Sequence, residues 1–478
     1  MTDIVWFKRD LRVNDHEPLY LASKKNKIIP LYIIENDFWK QPDVSDRHYN
    51  FLVESLNDLS SSLQNLGQEL IIRVGDAEKI FTKLIEEHTI QNIWSHEETW
   101  NNWTYERDVR CRRLFSKKNV RWNEIHVNGV FRGLNDRKSW AGMFYKEMNK
   151  IPFGRPEKLD IINIKSENIP SADDLSIRSI ECPYRQFGGE KEAHSLIDSF
   201  LTSRSYDYSK NISSPLYSHE TCSRLSTYLA FGNISLKQVF YITKVATDNA
   251  KNNKDSNNIM NFRSINAFKS RLRWRSHFIQ KLEDQPNIES QNLHDAYNDI
   301  RQAHFNEEFY VAWRDGKTGF PLIDACMRSL IQTGWINFRM RAMLVSFASN
   351  NLWLDWRKFA HHLSNIFTDY EPGIHYSQIQ MQSGTTGINT IRIYNPVKQS
   401  YDQDKDGVFI KKWVGELEDC PIEYLHEPWK HETKKFTYTS RIVDENETRK
   451  KASSQLYSIK SKIRNSETTK KILKKHVS

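Results

Sequence analysis

The chain has 478 residues, of which 38% are hydrophobic and 12% aromatic, and a formal net charge of +9. That length exceeds what one hydrophobic core usually serves, so two domains are expected. No apolar run approaches the roughly twenty residues that cross a bilayer, and the N-terminus lacks leader character, which argues against a membrane partner and for a cytoplasmic protein.

The N-terminal ~130 residues alternate short apolar strands with helical patterns: "DIVWFKRDL", "KIIPLYII", a helical run from about Asp46 to Leu66, "ELIIRV", a helix around Ala77–His88, then "IQNIWSH". This order predicts an α/β domain over residues 1–130, with a parallel sheet covered on both faces. It contains neither GxGxxG nor a Walker lysine loop, so no phosphate-cradling motif is assigned there. Residues 131–200 are richer in Pro, Gly and polar residues and read as an interdomain connector, with a helix opening at "GGEKEAHSLIDSFL".

Over residues 201–430 apolar side chains recur at helical spacing through "RLSTYLAFGNIS", "SRLRWRSHFIQKL", "DACMRSLIQTGWINFRMRAMLVSFAS" and "WLDWRKFAHHLSNIF". An all-helical domain follows, with the run Asn249–Asn258 as a flexible loop within it. Residues 431–478 form a basic C-terminal tail. From Lys430 onward fourteen Lys or Arg face five Asp or Glu, a surplus of nine that equals the whole net charge. Such a run is either a solvated, partly helical appendage or an attractor for a polyanion. The five cysteines, Cys111, Cys182, Cys222, Cys326 and Cys420, contain no CxxC pair, and no metal site is expected.

The helical domain holds polar groups that burial would penalise unless they are partnered. Arg339 and Arg341 interrupt an apolar helix. The segment "DYEPGIHYSQIQMQSGTTG", from Asp369 to Gly387, brings two acids, a histidine and three glutamines into a tryptophan-rich region. These groups serve either a structural ion pair or a polar cofactor such as a flavin dinucleotide, for whose phosphates "TCSRLS" has suitable donors.

The pieces "VWFKRDLRVNDHEPL", "CSRLSTYLAFGNIS", "GKTGFPLIDACMRSLIQTGW", "LWLDWR" and "RIYNPVKQSYDQDKDGVFIKKWVGEL" occur in an order and spacing that resembles the photolyase/cryptochrome family. The resemblance implies an α/β antenna domain joined to a helical domain that holds FAD, with DNA as partner, a monomeric protein, and a possible second antenna chromophore of unknown identity. It places Tyr208 and the run Cys222, Ser223, Arg224, Leu225 and Ser226 at the FAD phosphates. Trp335, Arg341, Asp369, Glu371 and His375 fall on flavin-facing positions, with Arg341 and Asp369 as an ion pair.

Trp274, Phe338, Arg339, Met381 and Gln399 fall on DNA-facing positions. Several departures accompany this. His375 stands where repair enzymes carry asparagine, and a histidine can donate or accept near neutral pH. Arg271 replaces the glutamate that contacts damaged pyrimidines, while Phe338, Ala342 and Met381 rebuild the pocket around the retained Trp274. Of the family's tryptophan electron chain only Trp356 is kept, with Ala303 and Ile379 at the other positions, so photoreduction would need another route through residues such as Trp353, Tyr376 or Trp335. The acidic segment "SHEETWNNWTYERD" loosely resembles a folate-contact region. The implied activity is blue-light-driven photolyase-type repair of pyrimidine lesions, with Trp274, Arg271, His375 and Trp356 as its catalytic residues. The alternative is a cryptochrome-like light-sensing or DNA-binding flavoprotein without repair turnover.

Overall fold

The computed structural model describes residues 2–252, 260–302, 305–431 and 436–477. Strands β1 (Thr2–Phe7), β2 (Lys27–Ile34), β3 (Ile71–Val74), β4 (Ile90–His96) and β5 (Arg121–Ile125) form one sheet in the order β3-β2-β1-β4-β5, every pair parallel. Alternation along β1 builds two cores at once. Ile4 and Trp6 pack with Phe81 and Phe115 on one face, whereas Val5 and Phe7 pack with Leu19, Phe51 and Leu56 on the other. Helix α1 (Asp46–Gln64) covers the second face and starts with a capping box in which Ser45 and His48 satisfy each other's backbone. Helix α2 (Asn102–Lys117) is capped by Asn101, whose side chain accepts from the Thr104 amide.

The sheet-side core continues without a break into Leu225, Tyr228, Phe231 and Phe268 of the helical domain. The turn after β1 docks there on backbone carbonyls, through one main-chain amide and three side chains. The Leu11 amide donates to the Phe231 carbonyl, Arg9 Nε to the Ala230 carbonyl, Arg12 Nη1 to the Gly232 carbonyl and Asn233 Nδ2 to the Leu11 carbonyl. Gly232 has φ +71°, and a Cβ there would collide with the Arg9 backbone. Only glycine combines that backbone conformation with so close an approach.

The principal helices beyond are α3 (Phe262–Asp284), α4 (Pro321–Thr333), α5 (Phe338–Ser346), α6 (Trp356–Ile366) and α7 (Pro372–Ser383). A second core of Met327, Leu330, Met343, Phe347, Phe359 and Leu363, which Tyr376 and Ile379 of α7 enter, joins α4 to α7, whereas α3 packs into the sheet-side core through Ile265, Phe268 and Leu272. Two C-terminal helices pack on the domain, α8 (Glu445–Ile463) and α9 (Glu467–His476). Leu456 packs with Tyr297 and Ile391, and Ile472 with Leu282 and Ile288. Tyr438 donates to Asp324 Oδ2 at 2.5 Å, and the His476 ring shares a hydrogen bond with Gln285 Oε1 at 2.8 Å. The basic segment is thus docked by a sparse apolar stripe, and differs in this from a solvated appendage. Lys462, Lys471 and Lys474 remain exposed on its outer side.

Two further sequence expectations are corrected. Strand β5 was not anticipated, because its residues are all partly exposed and carry no clean alternation. Of the loop expected over Asn249–Asn258, the first four residues belong instead to the helix Leu236–Asn252; residues 253–258 of that run, and Ala303, lie outside the described residues. Among the described residues no helix is long and apolar enough to cross a membrane.

Candidate functional site

Helix α7 starts at Pro372, whose fixed φ suits a first helical position, and Glu371 precedes it as the N-cap. The Glu371 side chain turns away from the helix to meet Arg275 of α3 at 2.8 Å, and Arg275 also donates to the Leu229 carbonyl. Burial raises the Glu371 carboxyl, with the Arg275 charge opposing the shift. Two residues earlier, Asp369 accepts both Nη1 (3.0 Å) and Nη2 (2.7 Å) of Arg341. Burial by itself would raise Asp369. The bidentate guanidinium more than offsets this and holds the carboxylate below its usual range. Arg341 is itself fixed by the Ile336 carbonyl at 2.7 Å and by the Phe367 ring beneath it.

Ser226 joins this group. Its hydroxyl accepts from Trp335 Nε1 at 3.2 Å and lies against Asp369. Arg224 adopts φ +60° and lays its guanidinium over Trp335, 4.2 Å from the ring, with Nη1 2.6 Å from His219 Nδ1. Burial pulls Arg224 down to about 10. In the same run Ser223 Oγ meets the Leu225 amide at 3.5 Å, Leu225 is buried, and burial pushes the Cys222 thiol up to about 12. Tyr208 is wedged against Phe200 and Phe268, with its phenol on Arg271.

His375 is buried at the start of α7. Its Nε2 lies 3.0 Å from the Ala360 carbonyl, which can only accept, so the proton is on Nε2 and Nδ1 is left as an acceptor. Burial pulls the ring down to about 3. At neutral pH this histidine is therefore uncharged, with one ring nitrogen that donates and one that can accept, as expected of a neutral imidazole.

Whether these residues suit a flavin dinucleotide can be judged from their unmet demands. Arg224 Nε, Glu371 Oε1, Ser377 Oγ and Gln378 Oε1 are buried without a hydrogen-bond partner. Buried polar atoms are nearly always satisfied. A ligand that brings phosphates, hydroxyls and a ring edge of nitrogen and oxygen atoms would meet these donors and acceptors, so the residues fit FAD.

Of the positions that the resemblance assigns to DNA, Gln399 is buried and the others lie on a more open surface. Trp274 is 42% and Phe338 47% exposed. Trp274 stacks on Phe278, with ring centroids 5.6 Å apart. Arg271 is exposed, Arg339 and Met381 are half-buried, and Arg339 Nη1 reaches Gln399 Oε1 at 3.4 Å. Trp356 is buried, donating to Asn292 Oδ1 at 2.7 Å, and Tyr376 stands between it and His375. Sequence reasoning missed Arg275 as an anchor, although it lies one residue after Trp274 in "RLRWRSHF", at the four-residue spacing from Arg271 that puts both near one helix face.

In the α/β domain a cavity of about 40 Å³ opens at the carboxyl ends of β1, β2 and β4, where such sheets take ligands. Its lining includes Trp6, Tyr32, Phe38, Trp39 and Arg107. Arg107 is gripped by Glu35, Glu98 and Asp108, and Lys8 also binds Asp108. The segment compared above with a folate-contact region thus spends Glu98, Arg107 and Asp108 on one another. Nearby, Asp10 Oδ2 lies within 2.8 Å of both His16 and His96. His16 Nδ1 accepts from the Leu19 amide, so its proton sits on Nε2 facing Asp10, and no lone pair is left there for a metal.

Two family models match the chain: "DNA photolyase" over residues 3–133 and "FAD binding domain of DNA photolyase" over residues 268–458. The chain is 25% identical to a deoxyribodipyrimidine photo-lyase of Alkalihalophilus pseudofirmus, across 94% of this chain and 96% of that one. It is 29% identical to a cryptochrome DASH of Gloeobacter violaceus, across 90% and 88%. A crystal structure of an archaeal photolyase from Sulfolobus tokodaii, solved with two FAD molecules, superposes with a TM-score of 0.79 at 26% identity, across 96% of this chain and all of that one. The chain belongs to the photolyase/cryptochrome family and carries its FAD-binding domain.

Proposed function

We propose that this protein is an FAD-dependent, blue-light-driven DNA repair enzyme of the photolyase type, acting as a monomer on pyrimidine lesions. The observation that carries this reading is the two-sidedness of α3. Its buried Arg275 anchors the acid that opens α7, while the adjacent Trp274 faces solvent. One helix therefore joins the cofactor segment to an open aromatic surface. FAD, when bound, supplies the light-excited electron donor.

In this reading Arg341 and Asp369 fix the flavin ring, Arg224 and its neighbours hold the phosphates, and His375 presents an unprotonated Nδ1. Trp274 offers its face to a base turned out of the duplex. Arg271 places positive charge where an electron-rich pyrimidine would sit, and Arg339 with Gln399 holds a phosphate. A second chromophore would enter at the carboxyl ends of β1, β2 and β4. The light-sensing reading is favoured by a separate observation. Ile379 is buried and aliphatic, and Arg271 is already engaged by Tyr208.

The decisive experiment incubates FAD-loaded protein with oligonucleotides bearing a defined cyclobutane dimer or (6-4) lesion, single- or double-stranded, in darkness and under blue light. Repair is expected only in light, and Trp274→Ala is expected to weaken lesion binding by about 1–3 kcal/mol. Should fully loaded protein bind DNA yet restore neither lesion, repair is ruled out and the light-sensing reading stands.

A further inference from the structure

Tyr370, between the two acids of the flavin segment, faces the α/β domain. Its phenol donates to Asp43 Oδ2 at 2.6 Å, and both residues are buried. Among the described residues no ion pair reaches Asp43. Its other contact is a long one from Asn101 Nδ2 at 3.4 Å. Glu289 lies close enough to feel the Asp43 charge and is likewise without a cation, its oxygens turned to the Asn102 amide. Burying a carboxylate without a counter-charge is costly. A hydrogen bond serving only to pin two domains would be met by asparagine.

The rings around Tyr370 are continuous. Its centroid is 5.1 Å from His375 and 5.4 Å from Trp100, each edge-on, and His375 is 5.1 Å from Tyr376. Removing an electron from a phenol makes its proton strongly acidic, so a buried tyrosine is oxidised readily only where a base stands at its oxygen. Here one does. Burial and the adjacent carboxylate also push the phenol's own ionisation well above its usual value, so the proton stays in place until an electron leaves.

We propose that Tyr370 is a redox-active tyrosine whose proton acceptor is Asp43, and that it replaces the aromatic step absent at Ile379. The proposal rests on the reading that FAD occupies the segment around Asp369 and His375. One electron leaves Tyr370 by way of His375 to light-excited oxidised FAD. The phenol O–H bond breaks, its proton forms a new O–H on Asp43 Oδ2, and a neutral tyrosyl radical faces a neutral carboxyl. A thiolate then returns one electron to the radical while Asp43 returns the proton. Two thiyl products close to a disulfide, so electrons and protons balance.

The test freezes FAD-loaded full-length protein under blue light and records its paramagnetic resonance, with ring-deuterated tyrosine to identify the radical. FAD content is read by absorbance beforehand. A tyrosyl signal is expected in the natural protein. It should be lost in Tyr370→Phe, and in Asp43→Asn lost or greatly shortened in lifetime, with Tyr370 and the FAD content intact. Thermal unfolding of both variants checks the fold. A merely structural Asp43 would alter unfolding without touching radical lifetime or its dependence on heavy water. If loaded protein forms only a tryptophan radical, or Tyr370→Phe keeps the natural signal, the proposal is overturned while the FAD reading survives. If the protein takes up no FAD, that reading fails first and this one with it.

Discussion

The α/β and helical domains each hold a cluster of buried charge, and these two clusters are built in opposite ways. In the α/β domain Arg107 meets three carboxylates, Lys8 a fourth contact, and Asp10 two imidazoles, so the charges close on themselves. Around α7 the pairs are incomplete: Glu371 has one oxygen on Arg275 and one on nothing, and Arg224 keeps a buried Nε without an acceptor. A self-satisfied cluster stabilises a fold by itself, whereas an unsatisfied one specifies what must be added.

The strongest challenge to this contrast is Arg107→Ala, which would leave Glu35 and Glu98 buried without a cation and Asp108 with Lys8 alone. A loss of about 3–5 kcal/mol is expected, equal with and without FAD, by denaturant unfolding. Asp369→Ala should behave differently. It strands Arg341, whose side chain is about a quarter exposed (24%), so the fold should lose less, about 2–3 kcal/mol, while FAD occupancy falls sharply by absorbance. Arg224→Ala sharpens the point: unfolding of the FAD-free protein should barely change, but FAD affinity should drop by roughly 1.5–3 kcal/mol, the worth of a charged hydrogen bond. Equal effects of Arg107→Ala and Arg224→Ala on the FAD-free fold would erase the distinction.

A smaller effect is expected where the two domains meet. Glu289 of the helical domain accepts from the first amide of α2, and burial pushes its carboxyl up to about 8. Because the folded value lies above the unfolded one, this contribution is complete below about pH 4.5 and is lost as pH rises through about 8. Hydrogen exchange at the Asn102 amide should therefore gain on its intrinsic rate between about pH 4.5 and 8 and keep that excess above pH 8. Glu289→Gln should abolish that excess. Smallest in stability terms is the outer face of the docked helices. Replacing Lys462, Arg464, Lys471 and Lys474 by Gln should shift unfolding by less than about 0.5 kcal/mol. If that face meets DNA, the slope of log affinity against log salt should flatten by up to roughly 3.6; an unchanged slope would remove it from the DNA surface.

Much of the architecture was legible because it follows from periodicity. The doubly apolar β1 and β2 announced a parallel sheet, and the helical recurrence in "DACMRSLIQTGW" announced α4. The Arg341–Asp369 contact could be expected only through the family resemblance, since 28 residues separate the partners. Glu371 with Arg275 and Tyr370 with Asp43, 96 and 327 residues apart, left no local trace. Strand β5 escaped because an edge strand with charged, half-exposed residues has no apolar alternation. The docking of α8 was masked by its lysines, though Ala452, Leu456 and Ile463 recur at helical intervals. At His375 the residue type alone left the donor and acceptor roles open, and only the Ala360 carbonyl says which nitrogen carries the proton.

The contact at Gly232 has a consequence for chain continuity. The turn after β1 and the Ala230–Asn233 corner hold each other by one main-chain hydrogen bond, by Arg9, Arg12 and Asn233 side chains on backbone carbonyls and by a shared core, while Ser45, Arg47 and His48 reach the carbonyls of residues 365–367, so the two domains are joined by more than the connector over residues 131–200. Severing that segment at an exposed point such as Ile161 should leave both fragments bound to each other. The protein is in this sense divisible, and its two halves, produced as separate polypeptides, are expected to reassemble by complementation.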